Sequence, residues 1–485
     1  MISRRETLIL QAREQFDALL ALVEKATSQR IDRMESDLFG GLLSLGLTLL
    51  RQFVAQHGTG DAGPLLDTAA ATWKRLENLH PRRYVSIFGE LTIDRTVYGT
   101  RDKQKIQAVP LDAKLGLPDG DFSYLLQAWL QERCLDTDYV GAVQGLAAIL
   151  RLHPSVRSVE HMTRQMAADV PSFQVQQPLP AAVEAAELLV ATADHKGVPM
   201  VPRDRPTADR DEESDHPGVK RAACAGAVYT TARFVRTADD VLDEVRRQER
   251  AADRPPPQGK VVWAEMRQEV DGEERSGREV VLANICAELD RRDPTETQPA
   301  IVLCDGERAL WTTILAMLTR PVVAILDLWH ALTYLWLAAK VFHGTKPAQE
   351  LFVTARLRML LEGKVGGVIK GLKHMGTQQA LAGEKKRTLA KVVGYLERNR
   401  DHMQYDQYLR AGYPIGSGVI EGACRHVIKD RMERAGMLWT LDGASALLRL
   451  RVVHTNDHWD EYQEYRIGRE QAALYGPNAP YAMAV

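Results

Sequence analysis

Two short, continuously apolar segments, PAIVLCD (299–305) and PVVAILD (321–327), constrain the possible folds more than any other feature of this sequence. An unbroken apolar run, without alternating polar residues, is typical of a strand buried on both faces of a sheet. A helical pattern follows each segment, and further strand patterns precede them at 186–194, 221–235 and 260–270. The sequence therefore predicts an α/β domain whose five strands form a sheet covered by helices on both faces.

Acidic residues end three of these predicted strands, namely Asp194, Asp305 and Asp327. Ligands bind at the carboxyl ends of strands in α/β sheets, although each Asp taken alone is explained equally well as a turn or N-cap residue. Glu421 opens a later helix, and the chain order of Asp194, Asp305 and Glu421 could bring three carboxylates to one side of the sheet. Such a cluster suits Mg²⁺ or Mn²⁺, and a pair of these ions supports phosphodiester displacement.

The segment PIGSGVIEGACRHVIKDRM (414–432) surrounds Glu421. Its apolar spacing predicts a helix that places Glu421, Arg425 and Lys429 at i, i+4 and i+8 on one face. Glu421 lies one residue beyond the position that a capping box from Ser417 requires, and an exposed Glu–Arg pair is the ordinary alternative. Residues 356–434 hold 16 Lys and Arg against 8 Asp and Glu, which favours a phosphate-binding surface.

Composition narrows the class of protein. The formal net charge is only -2, so an affinity for nucleic acid must come from local patches. The five cysteines are scattered without a CxxC pair, which argues against a disulfide framework and against a cysteine-based zinc site. The N-terminus lacks the features of a secretory signal, and the apolar stretch at 321–342 contains charged residues that disfavour a membrane span. We therefore expect a cytoplasmic protein without a membrane partner.

The remaining pattern predicts the domain organisation. We expect a helical region at 1–80, then a β-hairpin followed by helices at 81–170, with a boundary in the stretch 171–180. Ser155 is the predicted N-cap of a second helix that carries Arg157, His161 and Arg164 on an exposed face. This pair of helices is either a helix-turn-helix or a plain helical hairpin with a solvated basic face.

Several motifs together resemble the ISKra-type insertion-sequence transposases, which are Mutator-related DDE recombinases. The motifs are ADHKGVPM, VLCDGERALW, ILDLWHAL, GSGVIEGACRHVIKDRM, RAGMLWTLDGASALLRLR and, upstream, SIFGELTIDRTVYG and PLDAKLGLP. The sequence departs from that family at His195, where a glycine is frequent, and in lacking a cysteine pair after the hairpin.

The resemblance implies a ribonuclease-H-like mixed sheet interrupted by an all-helical insertion. The expected regions are 181–345 for the first part of this core, 346–412 for the insertion, and 413–485 for the last part with C-terminal helices. It implies Asp194, Asp305 and Glu421 as catalytic ligands of two Mg²⁺ or Mn²⁺ ions, with Asp327 and His330 as an accessory motif. Arg425, Lys429, Arg431 and Trp439 are the expected DNA-binding residues, although burial is an ordinary role for Trp439.

The implied activity is cleavage of transposon ends and their joining to target DNA. The expected partners are double-stranded DNA, at terminal repeats and target, and a second copy of the chain in at least a dimer associated with the nucleoid. Two other functions stay open on the sequence. One is a domesticated, non-catalytic DNA-binding protein, and the other is a metal-dependent, structure-selective nuclease on the same fold.

Overall fold

A computed structural model describes residues 4–25, 28–68, 71–100, 105–180, 188–205, 219–247, 253–270, 272–297, 299–434 and 436–476. The chain forms two compact units. The first contains Met1–Phe173 and His458–Val485, and the second contains Gln174–Asp457. The division at 173/174 lies inside the predicted boundary stretch 171–180, where a short helix forms instead of an irregular linker. The last predicted region, 413–485, is split between the two units at 457/458.

The first unit combines helices with short antiparallel strands. Its helices are α1 (Arg4–Lys25), α2 (Ile31–Gln56), α3 (Pro110–Leu115), α4 (Tyr124–Asp136), α5 (Tyr139–Leu150), α6 (Val156–Ala167), the start of α7 (Val170–Gln176), and Trp459–Tyr475 near the end of the chain. Its strands are β1 (Leu65–Asp67), β2 (Thr72–Arg75), β3 (His80–Ser86), β4 (Gly89–Arg95), β5 (Tyr98–Thr100) and β6 (Lys105–Ala108).

The prediction that 1–80 is helical is wrong beyond Gln56. Strands β1 and β2 pair with each other, and β2 pairs with β5 through Lys74 opposite Gly99. Trp73 packs on the small cluster of Leu66, Tyr98 and Ala108 that this pairing creates. Local propensity did not indicate these short strands, and one partner of β2, strand β5, lies further along the chain.

The predicted hairpin is confirmed, since β3 and β4 pair antiparallel around the turn before Gly89. The helices predicted after it are also confirmed, and the Ser155 side chain accepts the N-cap hydrogen bond from the Ser158 amide. Arg157, His161 and Arg164 are exposed on α6.

Helix α2 is long and apolar enough to cross a membrane by length and composition, and only 11% of its most apolar window is buried. It lies near the N-terminus and is the one helix of the described residues that passes this test, which is weak support for a membrane span. The apolar stretch at 321–342, whose charged residues disfavour a membrane span, does not pass this test of length and composition.

A five-stranded mixed sheet forms the centre of the second unit. Its strands are β7 (Leu188–Pro199), β8 (Lys220–Thr231), β9 (Gln258–Glu265), β12 (Ala300–Cys304) and β13 (Val322–Leu326), while β10 (Gln268–Val270) and β11 (Glu273–Arg275) form a separate hairpin. The order in the sheet is β13-β12-β7-β8-β9. Strands β7, β8 and β9 are antiparallel, whereas β12 and β13 run parallel to β7. The predicted mixed α/β class and the five strands are confirmed.

Both faces of this sheet are buried, as the continuous apolar runs predicted. On one face, Ala300, Val302 and Cys304 pack with residues of α9 (Gly277–Arg292) and α10 (Arg308–Met317). The alternate residues Ile301 and Leu303 pack on the other face with α11 (Leu328–Phe342). Because successive side chains of a strand point to opposite faces, a strand covered on both sides needs an apolar residue at every position.

The predicted insertion at 346–412 is helical. Its helices are α12 (Lys346–Leu361), α13 (Val365–Gln378), α14 (Gly383–Arg398), the 3₁₀ turn Arg400–His402 and α15 (Tyr405–Arg410). Two tyrosines fix its end to strand β13, because the Tyr405 hydroxyl donates to the Leu326 carbonyl at 2.9 Å and the Tyr408 hydroxyl to the Ala324 carbonyl at 3.2 Å. The chain therefore returns to the sheet edge immediately before the segment that carries Glu421.

Two strand ends differ from the prediction. Strand β7 continues five residues beyond Asp194, because His195–Pro199 pairs with the start of β8 in a long hairpin. Strand β9 ends at Glu265, and the rest of the predicted 260–270 strand belongs to the β10–β11 hairpin. An unpredicted helix, α8 (Ala238–Arg247), lies between β8 and β9.

Candidate metal centre

Asp194 lies on β7 at the point where its parallel pairing ends. Ala193 is the last residue of β7 in register with β12, opposite Cys304, so Asp194 is the first residue beyond that ladder. Its Oδ1 accepts a hydrogen bond from the His195 amide at 2.7 Å. The strand order thus places Asp194 beside the carboxyl end of β12 although β7 itself does not stop there.

Asp305 follows the last residue of β12, and its Oδ1 accepts a hydrogen bond from the Glu307 amide at 3.0 Å. Burial, followed by the charge of Asp194, raises the pKa of Asp305 to about 6. Two carboxylates that repel each other in a buried position favour either a shared proton or a bound cation.

His330 completes this cluster from the first turn of α11. One ligand atom from each of Asp194, Asp305 and His330 lies within 4.8 Å of the other two. The Nδ1 atom of His330 is buried and has no hydrogen-bond partner among the described residues. Two carboxylates and an imidazole at this separation form a group that could hold a metal ion.

Glu421 borders the same site without joining this compact group. It lies on α16 (Gly418–Ala423) and lines a cavity of about 710 Å³ together with Asp194, Asp305 and His330. Burial, then the charges of Asp327 and Asp194, raises the pKa of Glu421. The structure thus brings the two predicted aspartates close to each other and to His330. Glu421 lines the same cavity but is not part of this group.

Asp327 has a structural role. An N-cap was one explanation of this residue from the sequence, but the contact with Ser417 was not predicted. The Asp327 side chain is fully buried and caps α11 by accepting a hydrogen bond from the Trp329 amide at 2.6 Å. Its other oxygen accepts a 2.9 Å bond from the Ser417 amide and a further bond from the Ser417 hydroxyl. Burial raises the pKa of Asp327, although His330 and these amides oppose the shift. Asp327 therefore joins the start of α11, which carries His330, to the start of α16, which carries Glu421.

The glycine before Ser417 is explained by close packing. A Cβ atom on Gly416 would lie 2.7 Å from the Nε1 atom of Trp329, which is too near for any side chain. Neither Gly416 nor Gly418 has a positive φ, so this turn does not depend on a backbone conformation that only glycine adopts readily. The turn needs a glycine because the Trp329 ring occupies the space beside it.

The helix after Glu421 changes its winding. Residues Cys424–Lys429 form a π-helical segment between α16 and the short helix α17 (Asp430–Met432). Segments of this kind occur frequently at functional sites. Arg425 and Lys429 are exposed and line the cavity of the candidate metal centre. That they bind phosphate stays a prediction.

The prediction that Arg431 and Trp439 contact DNA requires correction. Arg431 is 1% exposed, and its guanidinium lies 4.9 Å from the centre of the Trp439 ring. Trp439 is 6% exposed and donates from Nε1 to the Met432 carbonyl at 3.1 Å. The pair is a buried cation–π contact that holds the segment after α17 in place, because neither side chain reaches the surface.

Most residues that line the cavity were not predicted, and four of them make notable contacts or come from the insertion. His195 and Glu307 form a contact of 2.6 Å between Nδ1 and Oε2, and the adjacency of His195 to Asp194 was the one available signal. Tyr395 and Arg398 come from α14 of the insertion. The Tyr395 ring stacks on Tyr334 at 3.6 Å between centroids. Nothing local marked Tyr395 or Arg398, since only the packing of the insertion brings them to the site.

No model of a known protein family matches this sequence, and no curated protein is similar to it.

Proposed function

We propose that this protein is a DDE-type DNA transposase, as its resemblance to the ISKra-type insertion-sequence transposases implies. The observation that carries the proposal is the approach of Asp194 and Asp305, 111 residues apart (305 − 194), in a cavity that Glu421 also lines. Asp194 and Asp305 meet because β7 and β12 are neighbouring parallel strands, and Glu421 reaches their cavity after the helical insertion, as expected for a catalytic centre of this type.

The proposed fold is ribonuclease-H-like. Its support is a mixed five-stranded sheet in which the first Asp lies on the first strand and the second Asp follows the fourth strand. A helical insertion follows the last strand and its helix, and the chain then returns to the sheet with Glu421. This is the element order expected from the resemblance.

The residues present fit a divalent cation. Asp194 and Asp305 supply hard oxygen donors, and His330 supplies an imidazole nitrogen within 4.8 Å of them. Carboxylates suit Mg²⁺ and Mn²⁺ alike, whereas an imidazole in the donor set favours Mn²⁺ at this position. Divalent ions held here would activate an attacking oxygen and stabilise the leaving oxygen of a phosphodiester.

The neighbouring residues would position the DNA. Glu421 lines the same cavity and would offer a carboxylate oxygen to a second ion. Arg425 and Lys429, one and two helical turns further on, present positive charge to the same cavity and would contact the phosphates beside the reacting one. Phosphate contacts of this kind fix the register of the DNA and not its sequence preference.

The first unit would recognise the terminal repeats. Its support is the exposed basic face of Arg157, His161 and Arg164 on α6, preceded by a short turn after α5. A second copy of the chain would be required to pair two transposon ends, so the active form would be at least a dimer on double-stranded DNA.

The test is cleavage and joining of DNA that carries the ends flanking the coding region, in Mn²⁺ or Mg²⁺. We expect Asp305→Asn, His330→Ala and Glu421→Gln each to lower cleavage by about 100-fold or more, because each removes a donor from the cavity. Asp401→Asn is the matched control, since Asp401 is exposed on the insertion and lies outside this cavity.

Undiminished cleavage by the Asp305→Asn variant would contradict the proposed centre. Cleavage without joining of pre-cut ends would instead identify a nuclease, and specific DNA binding with neither reaction would identify a non-catalytic DNA-binding protein.

A further inference from the structure

The first unit begins with a helical hairpin, α1 and α2, whose two helices are barely buried. No residue of α1 is buried, and the two buried residues of α2 are both polar. The Gln15 side chain donates to the Ser44 hydroxyl at 3.0 Å, and Leu19 packs against Gly41. These contacts set α1 antiparallel to α2 and fix which of their residues lie side by side.

Large apolar side chains stand exposed along one line of each helix. The exposed residues of this kind are Phe16, Leu20 and Val23 on α1, and Phe39, Leu42, Leu49 and Phe53 on α2. Their steps of three, four or seven residues, with Gly46 at the remaining position of α2, are the pattern of a seam that meets another helix. Phe88 fills the place beside Gly46, where a Cβ atom would lie 2.5 Å from its ring. We call these seven residues and Phe88 the hairpin face.

The hairpin face is distinct from the side of α2 that packs inside the unit. Leu47, Leu50 and Val54 pack there on the cluster that contains Leu91 and Ile93. The eight side chains of the hairpin face are instead between 38% and 55% exposed. At about 200 Å² for a whole side chain they present roughly 800 Å², which is the area that each partner contributes to a standard interface. Apolar patches on monomeric proteins are seldom this large.

Each helix also places one charged residue in line with this face. Arg13 precedes Leu20 by seven residues, and Glu35 precedes Leu42 by seven. Both charged side chains are exposed, and neither forms an ion pair within the described part of the chain. The face therefore carries one positive and one negative charge that are free to pair with another molecule.

The register of the hairpin keeps these two charges apart within one chain. Because Gln15 lies beside Ser44, Arg13 lies beside Gly46. That position is about 11 residues, or roughly 17 Å, along the hairpin from Glu35. One end of the face is thus positive and the other end is negative, which is the arrangement of a self-complementary surface.

We propose that the hairpin face binds the same face of a second copy of this chain, about a two-fold axis between Leu20 and Leu42. An axis at this midpoint brings Arg13 of each copy to Glu35 of the other, because an isologous interface uses the same patch twice. A lipid bilayer offers Glu35 no counter-charge, so a second copy fits this face better than a membrane does. The inference goes beyond the proposed function, which requires a second copy but assigns it no surface.

The experiment is sedimentation velocity of the full chain over a range of protein concentrations, without DNA or metal. We expect the wild type to form a dimer with a Kd of about 1 µM or lower. Leu42→Asp should raise this Kd by about 100-fold or more, because it places an unpaired charge at the centre of the buried face. Leu10→Asp is the matched control, since Leu10 is exposed on α1 but lies outside the hairpin face.

Charge exchange tests the pairing between the two copies. Arg13→Glu and Glu35→Arg each place like charges opposite each other, and each should raise the Kd by about ten-fold. The double variant should restore the wild-type Kd, because the pair forms again with its signs exchanged. Arg33→Glu and Glu14→Arg are the matched controls, since they make the same charge changes at exposed positions outside the hairpin face. Thermal unfolding followed by circular dichroism verifies that each variant is folded.

The outcomes separate this inference from the proposed function. A wild type that stays monomeric at every concentration overturns the pairing, whether it binds lipid vesicles instead or cleaves DNA. A dimer that Leu42→Asp leaves intact also overturns it, since the two copies then meet elsewhere. If the double charge variant is as weak a dimer as the single variants, the contact between Arg13 and Glu35 is overturned. Undiminished cleavage by Asp305→Asn would contradict the proposed function alone, because the dimer is measured without DNA or metal.

Discussion

Asp305 shows at the scale of one residue how the candidate centre differs from an ordinary turn. An exposed aspartate after a strand would stabilise the fold modestly through its hydrogen bond to a nearby amide. In this protein the Asp305 carboxylate is buried beside Asp194, and its pKa is raised to about 6. Its charge therefore destabilises the metal-free protein, which is the arrangement expected of a ligand that a cation must complete.

The first prediction at this scale concerns stability without metal. Because the pKa of Asp305 is raised on folding, the folded state binds this proton more tightly than the unfolded state. Protonated Asp305 therefore contributes to the stability of the fold below about pH 4, and this contribution is lost as the pH rises through about 6. At pH 7 in a chelator, Asp305→Asn should therefore raise the free energy of unfolding by up to about 3 kcal/mol, measured by urea denaturation.

The increase in the free energy of unfolding caused by Asp305→Asn should shrink towards zero at pH 4. Added Mn²⁺ should stabilise the wild type but not the Asp305→Asn variant. The exposed Asp401→Asn substitution is the control and should show neither effect. If Asp305→Asn destabilises the metal-free protein at pH 7, then Asp305 is a structural residue and not a strained ligand.

At the scale of elements, Asp327 connects two helices that each supply a residue to the candidate site. It caps α11 and accepts two hydrogen bonds from Ser417, which precedes α16. His330 and Glu421 lie within one turn of those two helix starts. The separation of His330 and Glu421 therefore depends on the buried carboxylate of Asp327.

Asp327→Asn should destabilise the protein by about 2–4 kcal/mol. Both oxygens of Asp327 accept hydrogen bonds, and the NH₂ group of asparagine would place a donor against other donors in a fully buried position. Ser417→Ala should cost less, about 1–2 kcal/mol, since the Ser417 amide still donates to Asp327. Urea denaturation measures both costs, and calorimetric titration should show weaker Mn²⁺ binding to Asp327→Asn. Equal stability of the two variants would show that the carboxylate is not the centre of this connection.

At the scale of the whole molecule, the second unit contains every component of the candidate centre. The two large apolar clusters of the sheet, one on each face, consist of residues between Leu188 and Ile415. The metal group and its cavity also lie between Asp194 and Glu433. The two clusters and the candidate centre thus consist of residues of one compact unit.

A fragment of residues 174–457 should accordingly fold by itself and bind Mn²⁺ with nearly the affinity of the full chain. Cooperative thermal unfolding and calorimetric titration of the fragment are the measurements. Binding to DNA containing transposon ends should fall, because the basic face of α6 is absent. A fragment that is soluble but unfolds without cooperativity would show that the two units stabilise each other.

The sequence by itself predicted the five strands of the sheet, the helical insertion, and Asp194 and Asp305 as candidate ligands, since buried strands, helical spacing and acidic residues after apolar runs are local patterns. The tertiary structure alone decided that His330 joins those two aspartates, that Glu421 lies at the side of their cavity, and that Arg431 and Trp439 are buried. The physical reason is that a local pattern sets which face of an element a residue occupies. What that face meets depends on strand order, on the buried bond between Asp327 and Ser417, and on the packing of the insertion.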